Sequence, residues 1–283
     1  MAAEPLALAT ADTESHIVTV RAASGRVVQR LRTVEGPRSI QSRPGIVAVC
    51  AHTQAGKVSL IERSGGRIAV RRVLGGFSEP RYTEIAGRFA FVSDSGAGEL
   101  ATIDLERGRV IHRAAVGDLA RHVTRRRTTV FVALGSSAAH VVAVDVADPS
   151  RPRVLRRIAP AFLAHDVAIA PDGRLWITAG RERRITIHGG PQLDADEAPQ
   201  HVTFASARAF VASGDGGSVR VHGLDGHLLR TVRVPRGSYN VQEAAPYVFT
   251  PSLGAGTLTI LDTHGRRLRE VHVAAAAHDA CAL

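Results

Sequence analysis

The chain has 283 residues, of which 45% are hydrophobic and 4% aromatic, and its formal charge of +10 reflects 36 basic against 26 acidic residues. No apolar run is long enough to span a membrane, and the first residues lack the basic start and apolar stretch of a secretion signal, so we expect a cytoplasmic protein without a membrane partner. The chain also lacks HExxH and CxxC spacings and any glycine-rich loop that opens a helix, which excludes the common zinc and phosphate-cradle motifs.

A repeated strand is the main pattern along the chain. Seven β-branched segments, at 18–20, 59–61, 101–103, 142–144, 185–187, 219–221 and 259–261, each run into a turn. Their last residues are Arg21, Glu62, Asp104, Asp145, His188, His222 and Asp262, and successive subtraction gives steps of 41, 42, 41, 43, 34 and 40 residues. A period near 40 residues predicts a β-propeller with four strands per blade.

Each repeat can be divided into four strands around that segment. The first, innermost strands begin near Ser39, Tyr82, His122, Asp166, His201, Asn240 and Asp279. The fourth, outermost strands alternate arginine with aliphatic residues, as in 27–32 and 228–234. The step of 34 residues before His222 is short, so we expect a short or missing outer strand in the fifth repeat.

The two ends of the chain are predicted to complete one blade together. The segment 277–282 repeats the form of 164–169, but the chain stops where a second strand would follow, and the N-terminus supplies three strands. The sequence therefore predicts an all-β fold with a single domain over residues 1–283. This domain is expected to be a seven-bladed propeller of four-stranded antiparallel blades, with blade one closed by both chain termini.

Polar side chains mark the entry to the innermost strands, where the blades converge on a central channel. The first ring comprises Arg38, Arg81, Arg121, His165, Gln200, Tyr239 and His278, and the second comprises Ser39, Tyr82, His122, Asp166, His201, Asn240 and Asp279. Since neighbouring residues of a strand point to opposite sides, the two rings need not face one surface.

The first ring predicts a binding site for a small anion at the channel mouth. Arg38, Arg81 and Arg121 come from consecutive repeats, and guanidinium groups bind carboxylate or phosphate in bidentate fashion. Gln200 and Tyr239 belong to the same predicted ligand-binding set. His165 and His278 are candidate catalytic residues, as general acid or base. The structural alternative is that these side chains tie neighbouring blades together.

The second ring offers an alternative, a divalent metal. His122, Asp166, His201 and Asp279 carry the nitrogen and carboxylate ligands that such an ion requires. The repeats that carry Asp279 and Asp166 lie nearly opposite each other, which argues against this set acting together. The cofactor therefore stays unknown at this stage, with a divalent metal as one alternative.

The positive charge does not by itself indicate a nucleic-acid partner. Lys57 is the only lysine, and arginines are spread over turns and outer strands. Proteins that bind single strands interleave basic residues with stacking aromatics, which are scarce here. We therefore expect a small ligand, or a protein partner on the broad face, and no nucleic acid.

One segment resembles a known group of propellers. Residues 170–178, Ala-Pro-Asp-Gly-Arg-Leu-Trp-Ile-Thr, are similar to a segment shared by YVTN-type, lactonase-like and streptogramin lyase propellers, whereas the Gly-His and Trp-Asp pairs of WD repeats are absent. The resemblance implies an active site in the channel mouth, commonly with a divalent metal. Three functions follow as alternatives: ligand binding, a lactonase-like hydrolase or lyase, and a protein-interaction scaffold.

Overall fold

A computed structural model describes residues 6–11, 14–43, 47–64, 67–135 and 140–282. These residues form 28 β-strands, which confirms the predicted all-β propeller of four-stranded antiparallel blades. No helix within the described ranges has the length and apolar character needed to cross a membrane.

Six blades are each built from four consecutive strands. Blade I contains β4 (Pro37–Arg43), β5 (Val47–His52), β6 (Lys57–Ser64) and β7 (Arg67–Leu74). Blade II contains β8 (Pro80–Ala86), β9 (Phe89–Asp94), β10 (Glu99–Asp104) and β11 (Arg109–Ala115), and blade III contains β12 (Val123–Arg126), β13 (Thr129–Ala133), β14 (Val141–Asp145) and β15 (Arg153–Ile158). Blade IV contains β16 (Asp166–Ile169), β17 (Leu175–Thr178), β18 (Arg184–Ile187) and β19 (Gln192–Asp194). Blade V contains β20 (Pro199–Ala205), β21 (Arg208–Ser213), β22 (Ser218–Gly223) and β23 (Leu228–Arg233), and blade VI contains β24 (Gln242–Ala244), β25 (Tyr247–Pro251), β26 (Thr257–Asp262) and β27 (Arg267–His272).

The predicted count of seven blades is corrected by this arrangement. Six blades consist of consecutive strands, and the C-terminal strand β28 (Ala277–Ala282) is left over from the series. This strand pairs antiparallel with β1 (Leu6–Ala11), which is followed by β2 (His16–Arg21) and β3 (Val27–Arg32). The two ends of the chain thus share one composite sheet, in the order β28-β1-β2-β3. The repeat period overestimated the number of blades because it counts this discontinuous sheet as a repeat like the others.

Apolar side chains between neighbouring sheets form the core. Val18 of β2 packs with Phe249 and Leu258 of blade VI, for example, and the same type of cluster joins each blade to the next. The aliphatic residues of the second and third strands therefore pack against neighbouring sheets, as propeller packing requires. Trp176 is fully buried in one such cluster between blades IV and V. Cys50 and Cys281 are buried free cysteines in the contact between the composite sheet and blade I.

Blade IV, which corresponds to the fifth repeat of the sequence, has a short outermost strand, as the 34-residue step predicted. Its last strand, β19, has three residues, whereas β7 of blade I has eight. Side-chain hydrogen bonds hold the segment that follows β19. Asp196 accepts hydrogen bonds from the Ser218 hydroxyl and the Arg220 guanidinium. The Asp196 carboxylate is therefore paired with blade V.

The innermost strands carry an irregularity at their beginnings that the repeat pattern does not reveal. Pro37 and Ser39 of β4 pair with two adjacent residues of β5, His52 and Ala51, so Arg38 is an extra residue in β4. Gln200 is extra in the same way at the beginning of β20. Such bulges break the strict alternation of side chains and re-aim them. The directions of the Arg38 and Gln200 side chains therefore do not follow from alternation along the strand.

Candidate functional site

The central channel is lined by the innermost strands, which contact one another in the ring order β28, β4, β8, β12, β16, β20 and β24. Hydroxyl groups of the second strands fix the beginning of the next inner strand. The Ser93 hydroxyl donates to the Arg121 carbonyl, and the Thr178 hydroxyl donates to the Gln200 carbonyl over 2.7 Å. The side chains at the mouth therefore stand on a rigid frame.

Three arginines of the first ring lie within one electrostatic cluster. Burial lowers the pKa of Arg121, and the charges of Arg81 and Arg38 lower it further, whereas Tyr82 raises it. Arg38 and Arg81 also line one open cavity of about 270 Å³. The structure thus brings together the three arginines that the sequence predicted as a set.

Arg81 and Arg121 differ in their contacts with carboxylates. Arg81 forms an ion pair of 3.3 Å with Glu79, whose side chain is 47% exposed and therefore well screened by water. Among the described residues, Arg121 has no ion pair with a carboxylate, and its buried Nε has no hydrogen-bond partner. The Arg121 charge therefore stays available to an anionic ligand.

His165 and His278, the candidate catalytic residues, are buried beside these arginines. Burial and the nearby Arg121 charge lower the pKa of His165 to about 3. Burial and the Arg38 charge hold the pKa of His278 well below its ordinary value. His278 Nδ1 lies 2.8 Å from the Arg38 carbonyl, which can only accept, so Nδ1 carries the proton of a neutral ring. Both imidazoles are neutral at physiological pH.

Gln200 and Tyr239 lie at different sites in the structure. Gln200 interacts with His165, where its hydrogen bond raises the imidazole pKa against the effect of burial. The Tyr239 hydroxyl instead donates to Asp215, and this bond raises the pKa of Tyr239 to about 12. Tyr239 lines a different cavity, with Glu197 and Arg236. Gln200 therefore accompanies the arginine cluster, and Tyr239 does not.

The second ring places three of the four predicted metal ligands together. One ligand atom from each of His122, Asp166 and His201 lies within 4.8 Å of the other two, and all three residues are buried. His122 Nδ1 lies 3.2 Å from Asp166 Oδ1, and His201 Nδ1 lies 3.7 Å from Asp166 Oδ2. Burial and neighbouring imidazoles lower the pKa of both histidines, and burial raises that of Asp166 to about 7.

Asp279, the fourth predicted ligand, does not join this group. Its carboxylate accepts the Ile40 and Ala280 amide N–H groups at 2.9 and 2.8 Å and also binds the Asn240 side-chain amide. Asp279 therefore connects the inner strands β28, β4 and β24. Its physical role is to join neighbouring sheets, because buried backbone donors require such a partner.

Tyr82 links the two rings and was not singled out from the sequence. Its ring stacks on His122 with 3.7 Å between centroids, and its hydroxyl lies 3.2 Å from His201 Nε2. The same hydroxyl interacts with Arg121. Its position in the second ring was the only indication in the sequence of a role at the site. A tyrosine next to aliphatic residues of a strand more often packs in the core.

A chamber of about 320 Å³ continues the channel beyond this cluster. Its wall includes Tyr82, His122, Asp166 and His201, together with Glu84. Burial raises the pKa of Glu84 to about 7, although Arg125, 3.5 Å away, lowers it. The buried cluster thus lies between a cationic mouth and a second compartment.

Comparisons with known proteins support the propeller fold. Neither a protein-family model nor a curated protein sequence matches the chain. A functionally unknown protein from Desulfotomaculum acetoxidans is similar in structure, with a TM-score of 0.83, 12% identity and 98% of each chain covered. A putative 6-phosphogluconolactonase from Bacteroides uniformis gives 0.79 at 10% identity, covering 99% of this chain and 100% of that one. Virginiamycin B lyase from Staphylococcus aureus gives 0.69 at 12% identity, with 84% of each chain covered.

These neighbours establish the architecture only. Their names support the resemblance to lactonase-like and lyase-like propellers that residues 170–178 suggested. At identities of 10–12% they carry no residue assignment to this chain. A fold of this kind hosts many functions, so the function must be argued from the site.

Proposed function

We propose that this propeller binds a small anionic ligand, a carboxylate or a phosphate, at the mouth of its central channel. The observation that carries the proposal is the cluster of Arg38, Arg81 and Arg121, in which like charges oppose one another in a partly buried site. Bringing such charges together is unfavourable unless a counter-charge is bound. An anion in this cavity would supply that charge and accept bidentate hydrogen bonds.

Neutral groups around the cluster support the same assignment. His165 and His278 have lowered pKa values and therefore add no positive charge that competes with the arginines. Gln200, which interacts with His165, adds an amide donor close to the cluster. The mouth therefore combines charged donors, which attract the ligand, with a neutral amide donor, which orients it.

The test is calorimetric titration of a panel of small carboxylates and phosphates into the wild-type protein and the Arg81→Ala variant. Loss of a hydrogen bond to a charged group should weaken binding by about 1.5–3 kcal/mol, roughly 10- to 150-fold. Arg156→Ala is the matched control, since Arg156 is exposed on the outer strand β15. Failure of every anion to bind, or equal weakening in both variants, would contradict the proposal.

A hydrolase or lyase that uses His165 or His278 is the second candidate. The names of two structural neighbours favour it, and a histidine-to-alanine variant of the virginiamycin B lyase is described as catalytically inactive. A histidine whose pKa is about 3, however, is a weak base and is not protonated at neutral pH. Acid–base catalysis here requires that a bound anion raise this pKa, so the enzymatic candidate depends on the anion site.

A further inference from the structure

A compact set of nitrogen and oxygen ligands lies one layer below the arginines. His122, Asp166 and His201 stand at the beginning of three consecutive inner strands, β12, β16 and β20. The two imidazole rings are 4.0 Å apart between centroids and nearly perpendicular, at 83°. Their Nδ1 atoms approach opposite oxygens of the same carboxylate. The three side chains therefore converge on one point from three rigid strands.

Two buried nitrogens at this point lack partners. Nε2 of His122 and Nε2 of His165 form no hydrogen bond within the described part of the chain, although both residues are at least 94% buried. The rings of these two histidines lie 5.4 Å apart. Buried polar atoms are nearly always satisfied, and leaving one without a partner costs about 1–3 kcal/mol. Each of these nitrogens is therefore a position for a binding partner that the described residues do not supply.

The carboxylate of the set is held in place by the backbone. Asp166 accepts the amide N–H groups of Val167 at 2.6 Å and Val202 at 3.0 Å, which fixes the orientation of both oxygens. A carboxylate oxygen accepts more than one bond, so each retains capacity for a further partner. Ligands fixed by a second layer of hydrogen bonds are a general property of metal sites.

We propose that His122, Asp166 and His201 bind a divalent transition metal of the zinc type inside the channel, with His165 as a neighbouring imidazole. Two imidazoles and one carboxylate suit zinc or ferrous iron, whereas magnesium and calcium prefer oxygen ligands. Three protein ligands leave a coordination position open, as in zinc sites that bind water or a substrate. The open position can face the mouth or the chamber, both of which border the cluster.

The competing explanation is a metal-free cluster in which Asp166 accepts hydrogen bonds from both histidines. It accounts for the same Nδ1 contacts without an ion. The two explanations differ in metal uptake. Protein freed of metal with a chelator and titrated calorimetrically with Zn²⁺ should bind one equivalent, whereas Mg²⁺ should not compete at tenfold excess.

Variants locate the ion. His122→Asn and His201→Asn should each weaken Zn²⁺ binding more than about 100-fold, since loss of an outer partner alone costs 10–100-fold. The exposed His272→Ala is the control for binding to surface histidines and should be unchanged. Circular dichroism checks that each variant is folded. Unchanged Zn²⁺ binding in both folded asparagine variants would overturn the proposal, as would absence of uptake by the wild type.

A measurement on the wild-type protein tests the ligand set even if the asparagine variants do not fold. X-ray absorption at the zinc edge should show the scattering of at least two imidazoles in the protein with one bound equivalent; a spectrum without imidazole scattering would overturn the assignment. Arg81→Ala should still bind Zn²⁺, because that residue belongs to the mouth and not to the ligand set. Loss of the anion site and loss of the metal site are thus distinguishable.

Discussion

Replacement of Asp279 by alanine should strongly destabilise the fold, because one buried carboxylate serves three donors. It accepts the N–H groups of Ile40 and Ala280 and binds the amide of Asn240, and all four residues are buried. Each buried donor left without a partner costs about 1–3 kcal/mol. The free energy of unfolding should therefore fall by roughly 3–9 kcal/mol if these costs add, against a typical total of about 5–15 kcal/mol.

Urea denaturation followed by the fluorescence of Trp176 measures this loss, since the only tryptophan is fully buried. The midpoint should fall at an unchanged denaturant slope. Asp148→Ala is the matched control, because the Asp148 side chain is exposed and its carboxylate accepts hydrogen bonds from nearby Ser150. Its loss should stay below about 1 kcal/mol. If Asp279→Ala destabilised the protein no more than this control, the assignment of Asp279 as a connection between sheets would be wrong.

Two further predictions concern strand pairing and pH. Removal of β28 should expose β1, its antiparallel partner, and abolish the cooperative thermal transition seen by circular dichroism, whereas Cys281→Ala should be mild; a truncated protein that melts like the full chain would refute this. Burial lowers the pKa of His52 to about 4, so its contribution to stability is complete above its ordinary value of 6.5 and is lost as pH falls through 4, by up to roughly 3 kcal/mol. The pKa of Glu84 is raised to about 7, so its contribution is complete below its ordinary value of 4.5 and is lost as pH rises through 7. Denaturation at several pH values should accordingly show a shallower acid loss in His52→Gln and a gain at pH 8 in Glu84→Gln; parallel profiles for wild type and variants would contradict both signs.

Much of the fold was predictable because the strand repeat depends on local sequence. The third strand of each repeat and the reduced outer strand β19 follow from residue spacing alone. The blade count was not predictable in the same way, since the period cannot distinguish a continuous blade from a sheet shared by both chain ends. The sequence also did not predict bulges such as that at Arg38, because a bulge depends on how the strand pairs with its neighbour β5.

The candidate site was predicted in part for a related reason. Residues at equal positions of consecutive inner strands are neighbours in space, which brings His122, Asp166 and His201 together. Asp279 occupies an equal position, but β24 separates its strand from β20 in the ring. The contact of Tyr82 with both His122 and His201 depends on ring orientation, which no spacing in the sequence encodes.

The repeated His-Asp dipeptide explains how a structural device and a candidate ligand site coexist. Asp166 and Asp279 each accept the N–H of the following residue and one N–H from the next inner strand. They differ in their neighbours, because histidines flank Asp166 whereas Asn240 donates to Asp279. Replacing Asp166 would therefore break a connection between sheets together with any metal site. Within the described part of the chain, the rings of His122 and His201 form no bond to the backbone, so these two residues are the positions where metal binding can be removed without that connection.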